Sequence, residues 1–166
     1  ETKNYLTRAL KFWLQEYKVD GFRMDLSHGF CGTNCNDRVS NINYYYNNGV
    51  KAVASDAYFI LEHWEGMNER GGYVNNGMMC WENTNNAYMQ LAMGWLKDGD
   101  ALTEANKDGY VSYTSSHDEQ RPFWKAKKYG NGAIATNEAT RLNRVPATVG
   151  MCAMLNGPQM FYMFDE

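Results

Sequence analysis

Between residues 3 and 18 apolar side chains recur at three- and four-residue steps, at Leu6, Ala9, Leu10, Trp13, Leu14 and Tyr17, with Arg8, Lys11, Gln15 and Lys18 between them. That period lays one apolar stripe along an amphipathic helix. Val19-Asp20-Gly21 breaks it, and 21–26 reads as a short strand whose alternate positions, Arg23 and Asp25, share a face. A loop rich in Gly, Asn and Cys follows. Residues 39–53 then read as a helix weakened at Asn47-Asn48-Gly49, and 57–62 as an apolar strand ending on the carboxylate of Glu62. A third strand is predicted over 77–81, and a helix over 86–96 with Tyr88, Leu91, Ala92 and Trp95 on one side. A fourth strand, 110–114, runs into Ser115-Ser116-His117-Asp118. A helix over 138–155 contains Pro146, and Gly157-Pro158 opens a final apolar strand.

Strands alternating with helices argue for parallel pairing, because parallel neighbours need a crossover and a helix is the usual one. The fold class is therefore α/β. Near-continuous apolar strands suggest a sheet covered on both faces, which fits a closed barrel and a doubly wound sheet alike. No Gly-x-Gly-x-x-Gly or Gly-Lys-Ser/Thr phosphate loop follows any strand. The nucleotide-binding form of the open sheet thus loses support, and part of a (β/α)8 barrel gains it.

Composition narrows the function classes. Of 166 residues, 44% are apolar and 21% charged, which is globular rather than disordered, and the length matches one folding unit. A net charge of −3 supplies no basic field for nucleic acid or anionic lipid. No apolar run reaches the ~18 residues of a spanning helix, and the first residues do not read as a signal peptide. Cys31, Cys35, Cys80 and Cys152 are too few for a disulfide scaffold and too scattered for a two-pair zinc framework. They read as core or loop thiols or one local disulfide, with Cys31/Cys35 at most half a metal site. Because the chain begins without Met and stops inside the apolar run that starts at Met160, it is expected to be a piece of a longer protein.

Candidate chemistry lies at the strand ends. Asp25, Glu62 and Asp118, the last beside His117, each follow a strand, and carboxyl ends are where parallel α/β folds gather side chains on a substrate. Such acids also serve as helix caps or sit solvated in loops. Arg23, two residues before Asp25, is placed to hold that carboxylate ionised and oriented. Glu62, at the end of Tyr58-Phe59-Ile60-Leu61, is in a position to be partly desolvated, which suits a proton donor. One ionised and one protonatable carboxyl make up the kit for cleaving a glycosidic bond. In the retaining geometry the two sit about 5–5.5 Å apart.

Val19-Asp20-Gly21-Phe22-Arg23-Met24-Asp25, Phe59-Ile60-Leu61-Glu62-His63-Trp64 and Ser116-His117-Asp118-Glu119-Gln120-Arg121 resemble, in order and spacing, three signature regions of the α-amylase family of glycoside hydrolases. In that family these regions lie on the fourth, fifth and seventh strands of a (β/α)8 barrel. The leading helix, Met78-Met79-Cys80-Trp81 and the closing Gly157-Pro158-Gln159-Met160 extend the resemblance over nearly the whole chain. It implies Asp25 as nucleophile, Arg23 as its orienter, Glu62 as general acid/base, Asp118 as the acid gripping sugar hydroxyls, and His117 as a sugar contact. His28 stands where many members carry a substrate-binding Lys, with a plain loop histidine as the other reading. Trp64 offers a stacking face to a sugar or simply packs. Glu119 and Arg121 are expected to form a local ion pair.

The family's first signature, an Asp followed four residues later by Asn-His, is absent, as is the small domain inserted after the third strand. The chain corresponds to the fourth through eighth strands, so the rest of the barrel is expected from an upstream part. The isolated piece is expected to be poorly active or inactive and prone to associate through its open edges. No complete metal site is expected within it, calcium belonging to the full-length parent. The implied activity is retaining hydrolysis of α-glucosidic bonds in starch or maltooligosaccharides. The alternatives are a transglycosylase of the same family, or a non-catalytic relative such as a glucan-binding or transporter-associated domain. Nothing in the sequence places the protein inside or outside a cell.

Overall fold

The predicted stripe forms α1, Thr2–Glu16, in which Leu10 and Leu14 turn inward while Trp13 and Tyr17 stay near the surface. The computed structural model describes residues 1–95 and 108–165. Leu96, the last residue of the helix expected over 86–96, lies outside the described residues, as does Glu166. Five strands alternate with helices along the chain, and every pairing within a unit is parallel. This is the α/β order of consecutive units of a (β/α)8 barrel. The chain divides into two compact units, Glu1–Trp81 and Glu82–Glu166.

In the first unit β1, Gly21–Met24, pairs with β2, Tyr58–Leu61, and β2 pairs with β3, Met79–Trp81. The β1–β2 register runs from Gly21 opposite Tyr58 to Met24 opposite Leu61. Gly21 is required there, since a Cβ on it would lie 2.4 Å from the Tyr58 carbonyl oxygen. Between β1 and β2 come α2, Ser27–Phe30, and α3, Cys35–Tyr45, which runs on as a π-helix over Tyr46–Lys51. The π turn falls on the Asn47-Asn48-Gly49 segment read as weak. Its Gly49 packs so closely on α1 that a Cβ would sit 2.9 Å from Leu10 Cδ1. A helix the sequence pattern did not show, α4, Met67–Asn75, joins β2 to β3. Tyr45, Tyr46, Val50, Phe59, Leu61 and Tyr73 are among the buried side chains of this unit, with Tyr46 stacked on Phe59 at 5.6 Å.

In the second unit α5, Asn85–Met93, precedes β4, Tyr110–Tyr113, all four of whose residues are buried. Next come α6, Pro122–Tyr129, the short α7, Ala133–Thr136, and α8, Glu138–Ala153, with β5, Gln159–Met160, parallel to β4. Helices α6 and α7 fall in a stretch the pattern left unassigned. Pro146 lies inside α8 without ending it, and Asn137 caps that helix by accepting from the Thr140 N–H at 3.1 Å. Ala92, Ala126 and Val145 form the buried centre where α5, α6 and α8 meet, flanked by Phe123 and Ile134. The expected closing strand is only two residues long, and Met163 and Phe164 beyond it take positive φ angles. Among the described residues no helix is long and apolar enough to cross a membrane.

Candidate active site

Register places the first two acids side by side. Met24 and Leu61 are the last paired residues of β1 and β2, so Asp25 and Glu62 emerge together at the same, carboxyl, end. The Glu62 N–H continues the ladder by donating to the Met24 carbonyl at 3.0 Å. Leu26, in the left-handed region at φ 42°, then turns the chain so that its own N–H donates to Glu62 Oε2 at 2.8 Å. A non-glycine residue held there is uncommon, and the turn serves the carboxylate.

Arg23 joins the pair. Its Nη1 bonds Asp25 Oδ1, and its Nη2 lies 2.8 Å from Glu62 Oε2. The guanidinium rests on the Trp81 ring, 4.2 Å from its centroid. A planar fork stacked on an aromatic face loses little freedom when it binds, so both carboxylates are held by one rigid donor. The environments of the two acids differ: the Asp25 side chain is 69% exposed and that of Glu62 only 6%. Trp64, partly exposed, donates its Nε1–H to Glu62 Oε1 at 3.4 Å. The expected desolvation of Glu62 is therefore present, and Trp64 touches the acid itself while keeping part of its surface open.

Behind Glu62 lies a buried polar chain that the sequence reading did not assemble. Ser27 donates its N–H to the Glu62 carbonyl at 2.9 Å, with its hydroxyl 3.1 Å from the same oxygen. That hydroxyl is also 2.9 Å from His63 Nδ1, while His63 Nε2 is 2.9 Å from Glu69 Oε1. Arg38 donates to both Glu69 oxygens, at 2.8 and 2.7 Å, and the Tyr73 hydroxyl to Oε1 at 3.1 Å. The Arg38 bonds hold the Glu69 carboxyl down at about 2, whereas burial keeps the His63 imidazole below its ordinary 6.5. His28 meets His63 edge to face at 6.1 Å. Glu69 was out of reach of sequence reasoning because it sits on α4, whose Gly71-Gly72 blurs the helical period.

In the second unit His117 and Asp118 follow β4 through Thr114, Ser115 and Ser116. Both are largely exposed, with His117 Nε2 3.5 Å from Asp118 Oδ1. The loop is braced from within. Ser116 donates its N–H and hydroxyl to Glu119 Oε2 at 2.8 and 2.5 Å, and its own oxygen accepts the Asp118 N–H at 3.2 Å. The buried Asp165 accepts from the hydroxyls of Thr114, at 3.0 Å, and Ser115. Arg121 donates to Ser115, lies 3.8 Å from Asp165 and stacks on Tyr162 at 4.2 Å. The expected Glu119–Arg121 pair is thus replaced: each residue is taken by a nearer partner on the turn or by Asp165.

The chain matches no known protein-family model and no curated protein.

The structure therefore brings Arg23, Asp25, Glu62 and Trp64 into one cluster in the first unit, with His28 behind it against His63. It places His117 and Asp118 together in the second. All four cysteines are free thiols, Cys31, Cys80 and Cys152 buried and Cys35 exposed, so the local disulfide is not formed. Among the described residues no group of three His, Cys, Asp or Glu is placed to hold a metal ion. The Leu26 N–H, the Trp81 platform and the Ser27–His63–Glu69 chain went unpredicted. The first two depend on a left-handed turn and on a strand two places away in the sheet, neither of which a local pattern encodes.

Proposed function

We propose that the protein is a retaining α-glycosidase of the α-amylase type, acting on α-glucans such as starch or maltooligosaccharides. One observation carries the reading: a single guanidinium, Arg23, pairs its charge with two carboxylates, one exposed and one buried, at the ends of adjacent parallel strands. An exposed acid beside a shielded one is the asymmetry that lets the first attack and the second donate a proton. The three sequence motifs add the chemistry's order and the substrate class.

In this reading Asp25, with Oδ1 tied to Arg23, attacks the anomeric carbon through Oδ2. As that bond forms the glycosidic C–O bond breaks, and Glu62 passes a proton to the departing oxygen. Glu62 Oε2 accepts the Leu26 N–H at 2.8 Å and lies 2.8 Å from the Arg23 guanidinium, so the transferable proton sits on Oε1, which Trp64 approaches at 3.4 Å. Water then loses a proton to Glu62 and displaces Asp25 from the sugar. By resemblance of the third motif, Asp118 and His117 match the residues that contact sugar hydroxyls. The test is release of reducing ends from starch and from a maltooligosaccharide by the full-length protein and by its Asp25→Asn variant. A loss of several orders of magnitude is expected. Equal rates remove Asp25 as the nucleophile, and none from either protein moves the reading to a non-catalytic relative or to another substrate. Appearance of longer oligosaccharides in place of free ends identifies a transglycosylase.

A further inference from the structure

A serine hydroxyl has one proton, yet that of Ser27 lies within hydrogen-bond distance of two acceptors, the Glu62 carbonyl at 3.1 Å and His63 Nδ1 at 2.9 Å. Which of them receives it depends on His63. Glu69 is fixed as a carboxylate by the two Arg38 bonds, so His63 Nε2 carries a hydrogen and donates it to Glu69. Neutral His63 then presents a lone pair at Nδ1, the Ser27 hydroxyl donates to it, and the Glu62 carbonyl keeps the Ser27 N–H alone. A proton added at Nδ1 reverses this: Nδ1–H donates to Ser27 Oγ, and the hydroxyl hydrogen swings to the Glu62 carbonyl. Both Ser27 and His63 are fully buried, so no solvent blurs the choice.

We propose that Ser27, His63 and Glu69 form a buried relay through which His63, as a positioning residue, sets the pose of Glu62. The groups facing His63 are Glu69 and Tyr73 from α4, Arg38 from α3 and His28 from α2, with the Cys35 thiol of α3 bonded to Glu69. Glu69 favours the imidazolium; Arg38, His28 and burial oppose it. The catalytic consequence rests on the reading of Glu62 as acid/base. The relay itself does not.

The test follows the Glu62 carbonyl carbon and the His63 ring by NMR in the full chain as pH falls from about 8 to about 5. The carbonyl shift is expected to move with the midpoint of the His63 ring. It stays flat in His63→Gln, and in Ser27→Ala the ring still titrates while the carbonyl no longer follows. A carbonyl that ignores His63, one that still follows it in Ser27→Ala, or a ring that takes no proton before the chain unfolds overturns the relay. Should His63→Gln not fold, Ser27→Ala decides alone. In turnover of a maltooligosaccharide by the full-length protein, His63→Gln is expected to lower kcat roughly 10–100-fold with KM within about twofold, and to shift the acid limb of the pH profile. An inactive full-length wild type removes the glycosidase reading and leaves the NMR outcome standing. An active wild type with an uncoupled carbonyl removes the relay alone.

Discussion

Arg23 stands two residues before Asp25 on one strand and faces Glu62 on the next, so its fork spans the two acids while Trp81 supports it from below. A lysine would keep the charge but has one nitrogen for two carboxylates and no planar face for the indole. Arg23→Lys is therefore expected to leave the chain folded and to lower kcat on a maltooligosaccharide by roughly a hundredfold, since a small misplacement of either acid is enough for that. Substrate binding changes less, because the fork holds the protein's own groups. A Lys variant within a few fold of wild type would show that Glu62 and Asp25 keep their poses through the Leu26 N–H and the strand register alone. Arg23→Ala goes further: it leaves the buried Glu62 carboxylate without its charged partner and is expected to lower stability by about 1–3 kcal/mol in chemical denaturation.

At the scale of elements, the close approach of β1 to β2 is checkable through Gly21. An alanine Cβ there meets Tyr58 at its carbonyl oxygen, nitrogen and Cβ, at 2.4–2.8 Å, and backbone atoms in a paired strand cannot step aside. Gly21→Ala is expected to destabilise by about 1–3 kcal/mol in urea unfolding and to disturb the register that aligns Asp25 with Glu62. An unchanged midpoint would mean the strands part without penalty. What the sequence made legible follows the same logic. Strands β1, β2 and β4 and helices α1 and α8 carry strong periods or apolar runs, and they formed within a few residues of expectation. Helix α4 did not show because Gly71-Gly72 interrupts its period and its buried residues are Arg70 and Tyr73, neither a typical core marker. Helix α6 did carry a start signal, Pro122 in its first turn, and a cationic last turn, Lys127 and Lys128, which reading by apolar period alone passed over. Candidate residues were legible where they lie on strand ends and illegible where a carboxylate comes from elsewhere, as Glu69 does from α4 in the first unit and Asp165 in the second.

For the whole molecule, the buried titratable groups define the pH range of stability, and the sign of each is fixed by the direction of its shift. Glu69 is held at about 2 by the Arg38 bonds, below its ordinary 4.5. The unfolded chain therefore takes up a proton first, so the stabilisation by this carboxylate is complete above pH 4.5 and is lost as pH falls toward 2. His63, lowered by burial from 6.5, acts in the same direction and starts earlier, because below pH 6.5 the unfolded imidazole is protonated while the folded one resists. On the alkaline side burial pushes the Cys31 thiol from 9.0 up to about 12, and Cys152 rises for the same first reason. There the unfolded thiols ionise first, so stability falls as pH rises above 9. The thermal midpoint measured against pH is expected to form a plateau between about 6.5 and 9 with a falling limb on each side. Glu69→Gln lowers the plateau and flattens the limb below 4.5. Cys31→Ala leaves the acid limb in place and weakens the alkaline one. An acid limb of full slope in Glu69→Gln would place the acid lability in groups other than the Arg38–Glu69–His63 chain.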